Sequence, residues 1–216
     1  MADESLWIWG NAIYGMYPIK TQKTIQHVIA EGMHVLILTV DGEVYAWGEH
    51  AVRPGDTILK NNRTEIAEDW SSWYGTEAHR LQELTHVKEI ALDPRGFFAL
   101  ARKEDGSIWI WGENTITNIP RAVPLTNVPI VKRSHESISV KSDGSFYLVD
   151  DQGKLWFIAL IFTKNASSAH SFVRVETRIC NHPFHEAVQE VSAGPYITLI
   201  RTVSGRVWMK GAGNDV

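Results

Sequence analysis

Cys180-Asn-His182-Pro-Phe-His185, with His170 upstream, is where this 216-residue chain gathers thiol and imidazole groups. Thiolate and imidazole together suit zinc, but zinc sites hold their ligands at recurrent short spacings, and this stretch matches none of them. It reads as a loop with incidental histidines, so Cys180, His182 and His185 stay weak metal candidates and no cofactor is expected. His34 falls inside a strand pattern and suits a structural hydrogen bond. The chain has no phosphate-cradling glycine loop, no Gly-x-Ser-x-Gly elbow and no His-Glu-x-x-His pair. Catalysis has no motif to rest on, and the expectation is a protein that is not an enzyme.

Binding chemistry is better supplied. Thr64-Glu-Ile-Ala-Glu68-Asp69-Trp70-Ser-Ser-Trp73-Tyr74-Gly75 puts Glu65, Glu68 and Asp69 beside Trp70, Trp73 and Tyr74. Thr64 can cap a short helix whose first turns carry the acids, and Gly75 can end it. Trp and Tyr are enriched at interface hot spots, and carboxylates around them steer a basic partner. These six residues are the candidate partner-binding site. The competing reading is that the two Trp pack on a scaffold rim while the acids are solvated.

What must position such a stretch is a set of β-hairpins. Gly32 to Gly48 carries two apolar, β-rich runs around Asp41-Gly42, a strong hairpin signal because Gly accepts positive φ. The pattern returns from Gly96 to Gly112 around Asp105-Gly106. A third copy, Ser134 to Asp150, is read with Gly144 as its main turn and Gly153 turning into an outer strand; the register with Gly153 as main turn stays open. A fourth runs from Val188 to Gly211 around Gly205. Inner strands are expected at Ile25–Ala30, Val87–Ala91 and Val188–Gly194. Leu6-Trp-Ile-Trp9-Gly10 nearly duplicates Ile108-Trp-Ile-Trp111-Gly112, so the chain opens on the last strand of a repeat, as in a ring whose closing blade is shared by the two chain ends. Repeat ends at 10, 48, 112, 150 and 211 are alternately far and near, which suggests a duplicated two-blade unit. The long intervals hold two insertions, 49–85 and 159–187, expected as loop or helix. Most of the nine Trp sit at repeat ends, where packing explains them; Trp70 and Trp73 do not.

Length and a composition of 44% hydrophobic and 21% charged residues suit an ordinary globular protein, here a single domain over 1–216. A net charge of −4 disfavours generic nucleic-acid binding. No apolar run approaches a membrane span, no secretory leader is visible and Cys180 has no disulfide partner, so a cytoplasmic location is expected.

The repeat resembles that of the regulator-of-chromosome-condensation family of β-propellers. Its signature falls on Gly32, His34, Asp41, Gly42, Trp47 and Gly48, then on Gly96, Asp105, Gly106, Trp111 and Gly112 with Phe98 at the His position. The last repeat keeps Gly194, Gly205, Trp208 and Gly211, with Ser204 for Asp and Lys210 before the final Gly. The resemblance implies an all-β propeller. Family rings have about seven four-stranded blades, whereas this chain has four full repeats and an opening strand. A small ring of four to five blades is therefore expected, or an incomplete ring finished by a partner or by a second copy as a homodimer. The resemblance also implies protein binding, since related propellers include inhibitors that cover an enzyme's active site with aromatic and acidic loop residues. An inhibitor or immunity-type protein is the leading expectation. Guanine-nucleotide exchange on a small GTPase and small-ligand binding in a central channel are the alternatives.

Overall fold

The computed structural model describes residues 6–10, 13–19, 23–31, 34–48, 78–95, 97–112, 119–133, 137–141, 143–164, 171–179, 186–194 and 196–211. Among them every regular element is a strand, and the strands form five antiparallel sheets taken in chain order. The first sheet pairs β1 (Leu6–Gly10) with β2 (Ile13–Ile19). The second holds β3 (Ile25–Glu31), β4 (His34–Thr39), β5 (Val44–Gly48) and β6 (His79–Arg80); the third β7 (Val87–Leu92), β8 (Ala99–Lys103), β9 (Ile108–Gly112) and β10 (Ile119–Pro124). The fourth holds β11 (Ile138–Val140), β12 (Ser145–Val149), β13 (Leu155–Lys164) and β14 (Ser171–Ile179), and the fifth β15 (Val188–Ala193), β16 (Ile197–Thr202) and β17 (Val207–Gly211). The expected inner strands are β3, β7 and β15.

Burial follows from stacking. Strand β4, His-Val-Leu-Ile-Leu-Thr, is buried at every position because both its faces are covered. Val35 and Ile37 pack toward Leu6 of the first sheet, while Leu36 and Leu38 pack toward Ile90, Ala99 and Ala101 of the third. Phe98 and Leu100 meet Phe146 and Leu148 between the third and fourth sheets, and Tyr147 and Val149 meet Val188, Val191 and Ile200 between the fourth and fifth. Strand β16 instead alternates exposed and buried residues, because only one of its faces is covered.

One device joins three successive pairs of sheets. The glycine in the turn between second and third strands adopts positive φ, and its carbonyl accepts an amide from the start of the next sheet or from the segment leading into it: Val87 on Gly42, Val131, ahead of β11, on Gly106, and Val188 on Gly153, at 3.0, 3.1 and 2.7 Å. A side chain at Gly106 would meet Val131 backbone at 2.9 Å, so glycine is required there by close approach as well as by φ.

That device corrects the third repeat. Gly153, between β12 and β13, is its main turn; Gly144 lies between β11 and β12. Asp-Gly at 143–144 is a good local turn, with Asp143 accepting the Ser145 amide at 3.0 Å, but only Gly153 touches the next sheet. The repeat consequently ends later than 150, the last two repeat intervals become nearly equal, and the alternation that suggested a two-blade duplication disappears. A second correction concerns the insertion at 159–187. Instead of loop or helix it is largely β, because the apolar and β-branched runs of β13 and β14 pair from Trp156–Ile179 to Lys164–Ser171. Third, among the described residues β1–β2 and β15–β17 are separate sheets, where a shared closing blade would pair them.

Candidate functional site

The partner-binding residues expected from sequence, Glu65, Glu68, Asp69, Trp70, Trp73 and Tyr74, lie outside the described residues, as does the helix expected from Thr64 to Gly75. Cys180, His182 and His185 lie outside them too. Among the described residues no three His, Cys, Asp or Glu side chains converge as a metal site.

The described strands do fix where the insertions leave the scaffold. Each four-stranded sheet has its turn glycine on one rim, and its first-to-second and third-to-fourth connections on the other. Gly48, paired with His34, ends β5 on this second rim, and Ala78 begins the return into β6. The return leg is clamped: Leu81 donates its amide to the Val44 carbonyl at 2.9 Å, Leu81 and Leu84 are buried, and Arg80 pairs with Glu43 at 2.8 Å. Glu43 also accepts the Tyr45 hydroxyl at 3.0 Å. Burial, then the Glu43 carboxylate, pushes the Tyr45 phenol up. Lys23 sits at 2.6 Å from Asp41, and that hydrogen bond raises the lysine and lowers the carboxyl. The attachment of residues 49–77 is therefore rigid on its return side.

On the same rim β13 and β14 run past their neighbours. Strand β12 pairs with β13 only as far as Ala159, while the β13–β14 ladder continues to Lys164. Five further residues carry this hairpin about 17 Å beyond the sheet at about 3.4 Å per residue. Other residues of this rim escaped the reading by motif. Tyr196, in the first-to-second connection of the fifth sheet, is 76% exposed. Phe97 lies under the Arg95 guanidinium, 4.6 Å from its ring centre. Asp93 is fully buried beside them. Its carboxylate accepts the Phe97 amide at 3.0 Å, while Oδ1 has no hydrogen-bond partner. Burial pushes this carboxyl above the ordinary carboxylate range against the pull of the Phe97 amide and Arg95. Aromatics beside Pro or Gly in a connection were the available signal for Phe97 and Tyr196.

Among the described repeat-end tryptophans, those of the third sheet pack as expected, whereas Trp7 and Trp208 in the first and fifth sheets are 45% and 37% exposed. Trp111 is fully buried between second and third sheets. Trp109 donates to Ser107 Oγ at 3.0 Å beneath Lys103, and Trp156 donates to Asp150 at 2.8 Å. These are turn-locking bonds rather than exposed anchors.

A buried polar lock also escaped the motif reading. Glu89 on β7 accepts Arg102 Nε of β8 at 2.8 Å, and across the sheet boundary the Ser137 amide, the Ser137 hydroxyl and the Ile138 amide at 2.6, 2.6 and 2.7 Å. Arg102 in turn reaches the Val131 carbonyl at 3.5 Å.

The fold is that of RCC1-like propellers. Yeast RCC1 (Prp20), in a structure of Kap60 bound to it, is 16% identical with a TM-score of 0.59 over 92% of this chain and 46% of that one. Human WBSCR16 is 16% identical with a TM-score of 0.58 over 91% of this chain and 50% of its own. Prp20p from Saccharomyces cerevisiae, described with its binding properties to Gsp1p and histones, is 15% identical with a TM-score of 0.60 over 92% and 48%. The chain spans about half the length of these structures. No family model matches the sequence, and no curated protein matches it. No described helix is long and apolar enough to cross a membrane.

Proposed function

We propose that this chain is a non-enzymatic, cytoplasmic protein-binding propeller, one domain over 1–216, that inhibits or neutralises a protein partner in the manner of an immunity protein. The observation that carries the reading is the shared rim: Gly48 and Ala78, which bracket residues 49–77, the projecting β13–β14 hairpin, Tyr196 and the Arg95–Phe97 stack all lie on it. Glu65, Glu68 and Asp69 attract a basic surface, and Trp70, Trp73 and Tyr74 supply the anchors that bury in it. An open fifth sheet adds a second copy of the chain to the partners such a protein can take.

The test is capture from source-cell lysate by the wild type and by Trp70→Ala/Trp73→Ala, followed by binding of the purified partner to both. Loss of one stoichiometric partner with the variant supports the reading. Equal capture by both removes residues 65–74 from the site.

Likeness to Prp20p, described with its binding to Gsp1p, favours one second reading, nucleotide exchange on a small GTPase. Basal nucleotide release from a panel of small GTPases in the presence of this chain would end it.

A further inference from the structure

We propose that strand β14 is a dimerisation edge, whose outer backbone pairs antiparallel with β14 of a second copy of this chain about a two-fold axis at Val175. The strand belongs to the fourth sheet, inside the array, and the contact is independent of residues 65–74 and of any partner they bind.

A sheet edge offers a row of amides and carbonyls to any extended chain, and proteins blunt it with short strands, prolines, irregular register and charge. In each four-stranded sheet the fourth strand is at an edge. Strand β6 is only two residues long. Strand β10 carries Pro120 and Pro124, and its register with β9 shifts between Ile119 and Val123. Strand β14, Ser-Phe-Val-Arg-Val-Glu-Thr-Arg-Ile, has none of these devices: its nine residues include neither Pro nor Gly, and its register with β13 is unbroken. Among the described residues no strand pairs with its outer side. Half of it also stands clear of the sheet, because Val175 pairs with Leu160, the first residue of β13 past the end of the β12 ladder at Ala159.

Charge is the protection that remains, and its pattern attracts a copy instead of repelling one. Arg174, Glu176 and Arg178 alternate in sign along the strand. Their register positions are opposite Ile161, Ala159 and Phe157, on the face where Ile161 is 40% exposed, whereas Val175 and Thr177 are opposite the buried Leu160 and Ile158. Residues directly paired across two strands share a face, so two identical antiparallel strands meet only in registers centred on a residue. Centred on Val175, every residue from Ser171 to Ile179 has a counterpart, with Arg174 opposite Glu176 and Glu176 opposite Arg174. Centring on Arg174 sets that arginine against itself. Centring on Glu176 sets glutamate against glutamate and Arg174 against Arg178. Larger slips pair fewer residues. Opposite charges directly across a strand pair stabilise it and like charges destabilise it. The register that uses the whole strand is therefore the one its charges select. A segment of another protein would match this pattern only by coincidence, while a second copy carries it by identity. Such a contact is isologous and uses up the edge, so assembly stops at two copies.

Sedimentation equilibrium of the purified 216-residue chain, from nanomolar to high micromolar concentration, tests this. The expected result is a monomer–dimer equilibrium with no larger species. Arg174→Glu sets acid against acid in both symmetric pairs, and Glu176→Arg sets arginine against arginine, so each should raise the dissociation constant by roughly tenfold or more. An equimolar mixture of these two variants restores opposite charges across the axis and should form a heterodimer of near wild-type affinity, as should the exchange Arg174→Glu/Glu176→Arg within one chain. Mixing does not repair a chain that has failed to fold, so recovery in the mixture reads the contact itself. Trp70→Ala/Trp73→Ala should leave the dimer intact, which separates failure here from failure of partner capture. A monomer at every concentration, larger oligomers, single variants that dimerise as wild type does, or a mixture no tighter than its components would overturn the proposal.

Discussion

Glu89→Ala and Glu190→Ala remove the same group from the same place in two sheets, and the structure assigns them very different consequences. Glu89 is 6% exposed and its carboxylate receives four hydrogen bonds, one from Arg102 and three from Ser137 and Ile138. Removing it leaves the buried Arg102 guanidinium without that counter-charge and strips the acceptor from two inter-sheet amides. Breaking a buried pair by deleting one partner costs about 3–5 kcal/mol. Glu190 makes an ion pair that is nearly half exposed, and exposed pairs are worth about 0–1 kcal/mol. Against a total stability of about 5–15 kcal/mol, Glu89→Ala consumes a large share. In a chain of this size about 2–4 °C of midpoint accompanies each kcal/mol, so a loss of roughly 6–20 °C is expected for Glu89→Ala and under about 4 °C for Glu190→Ala. Thermal and urea unfolding measure both. Equal losses, or a loss below about 1 kcal/mol for Glu89→Ala, would refute the claim that this carboxylate joins the third sheet to the fourth.

Gly106→Ala and Gly205→Ala share the left-handed strain of about 1–2 kcal/mol, but only Gly106→Ala presses on Val131 backbone, so its urea midpoint should fall further. Asp93 has its folded pKa raised by burial, so its ionised form opposes folding above that pKa and the penalty is relieved as pH falls toward the unfolded value. The melting temperature of Asp93→Asn minus that of wild type should accordingly shrink from pH 7 toward acid, and parallel profiles would contradict the burial argument. Asp105 is held below the ordinary carboxylate range by the Ser107 hydroxyl and amide, so it lends stability above its unfolded pKa that is lost as pH falls through the lowered one. Ser107→Ala should move the Asp105 carboxyl upward in a carbon-detected NMR titration.

Strands were legible where local chemistry decides them. Apolar, β-rich runs such as Val35–Leu38 and Ile197–Ile200 announced strands, but not which faces are covered: both in β4, and in β16 only the face of Thr198, Ile200 and Thr202. The turns at Gly42, Gly106 and Gly205 were equally plain. The third repeat was not, because Gly144 and Gly153 both adopt positive φ in tight turns and differ only in what lies across the boundary: Arg95 Nη2 at 3.7 Å in one case, Ala187 and Val188 in the other. No window along the chain contains that difference. The Glu89 lock joins residues nearly fifty positions apart, so its members look like surface charges in sequence. The six candidate partner-binding residues rest on composition and on the rim from which their insertion departs.

The glycine-to-amide link bears on how the molecule acquires its shape. Each link joins segments less than fifty residues apart, 42 to 87, 106 to 131 and 153 to 188, and none requires the termini to find each other. Such a stack behaves as a one-dimensional array in which every unit answers only to its neighbours. Assembly can start at any interior sheet and spread outward, and amide exchange should be slowest in β8, between two neighbours, and fastest in β17. Lengthening or shortening the array by one unit then alters only an end, leaving the remaining boundaries as they were.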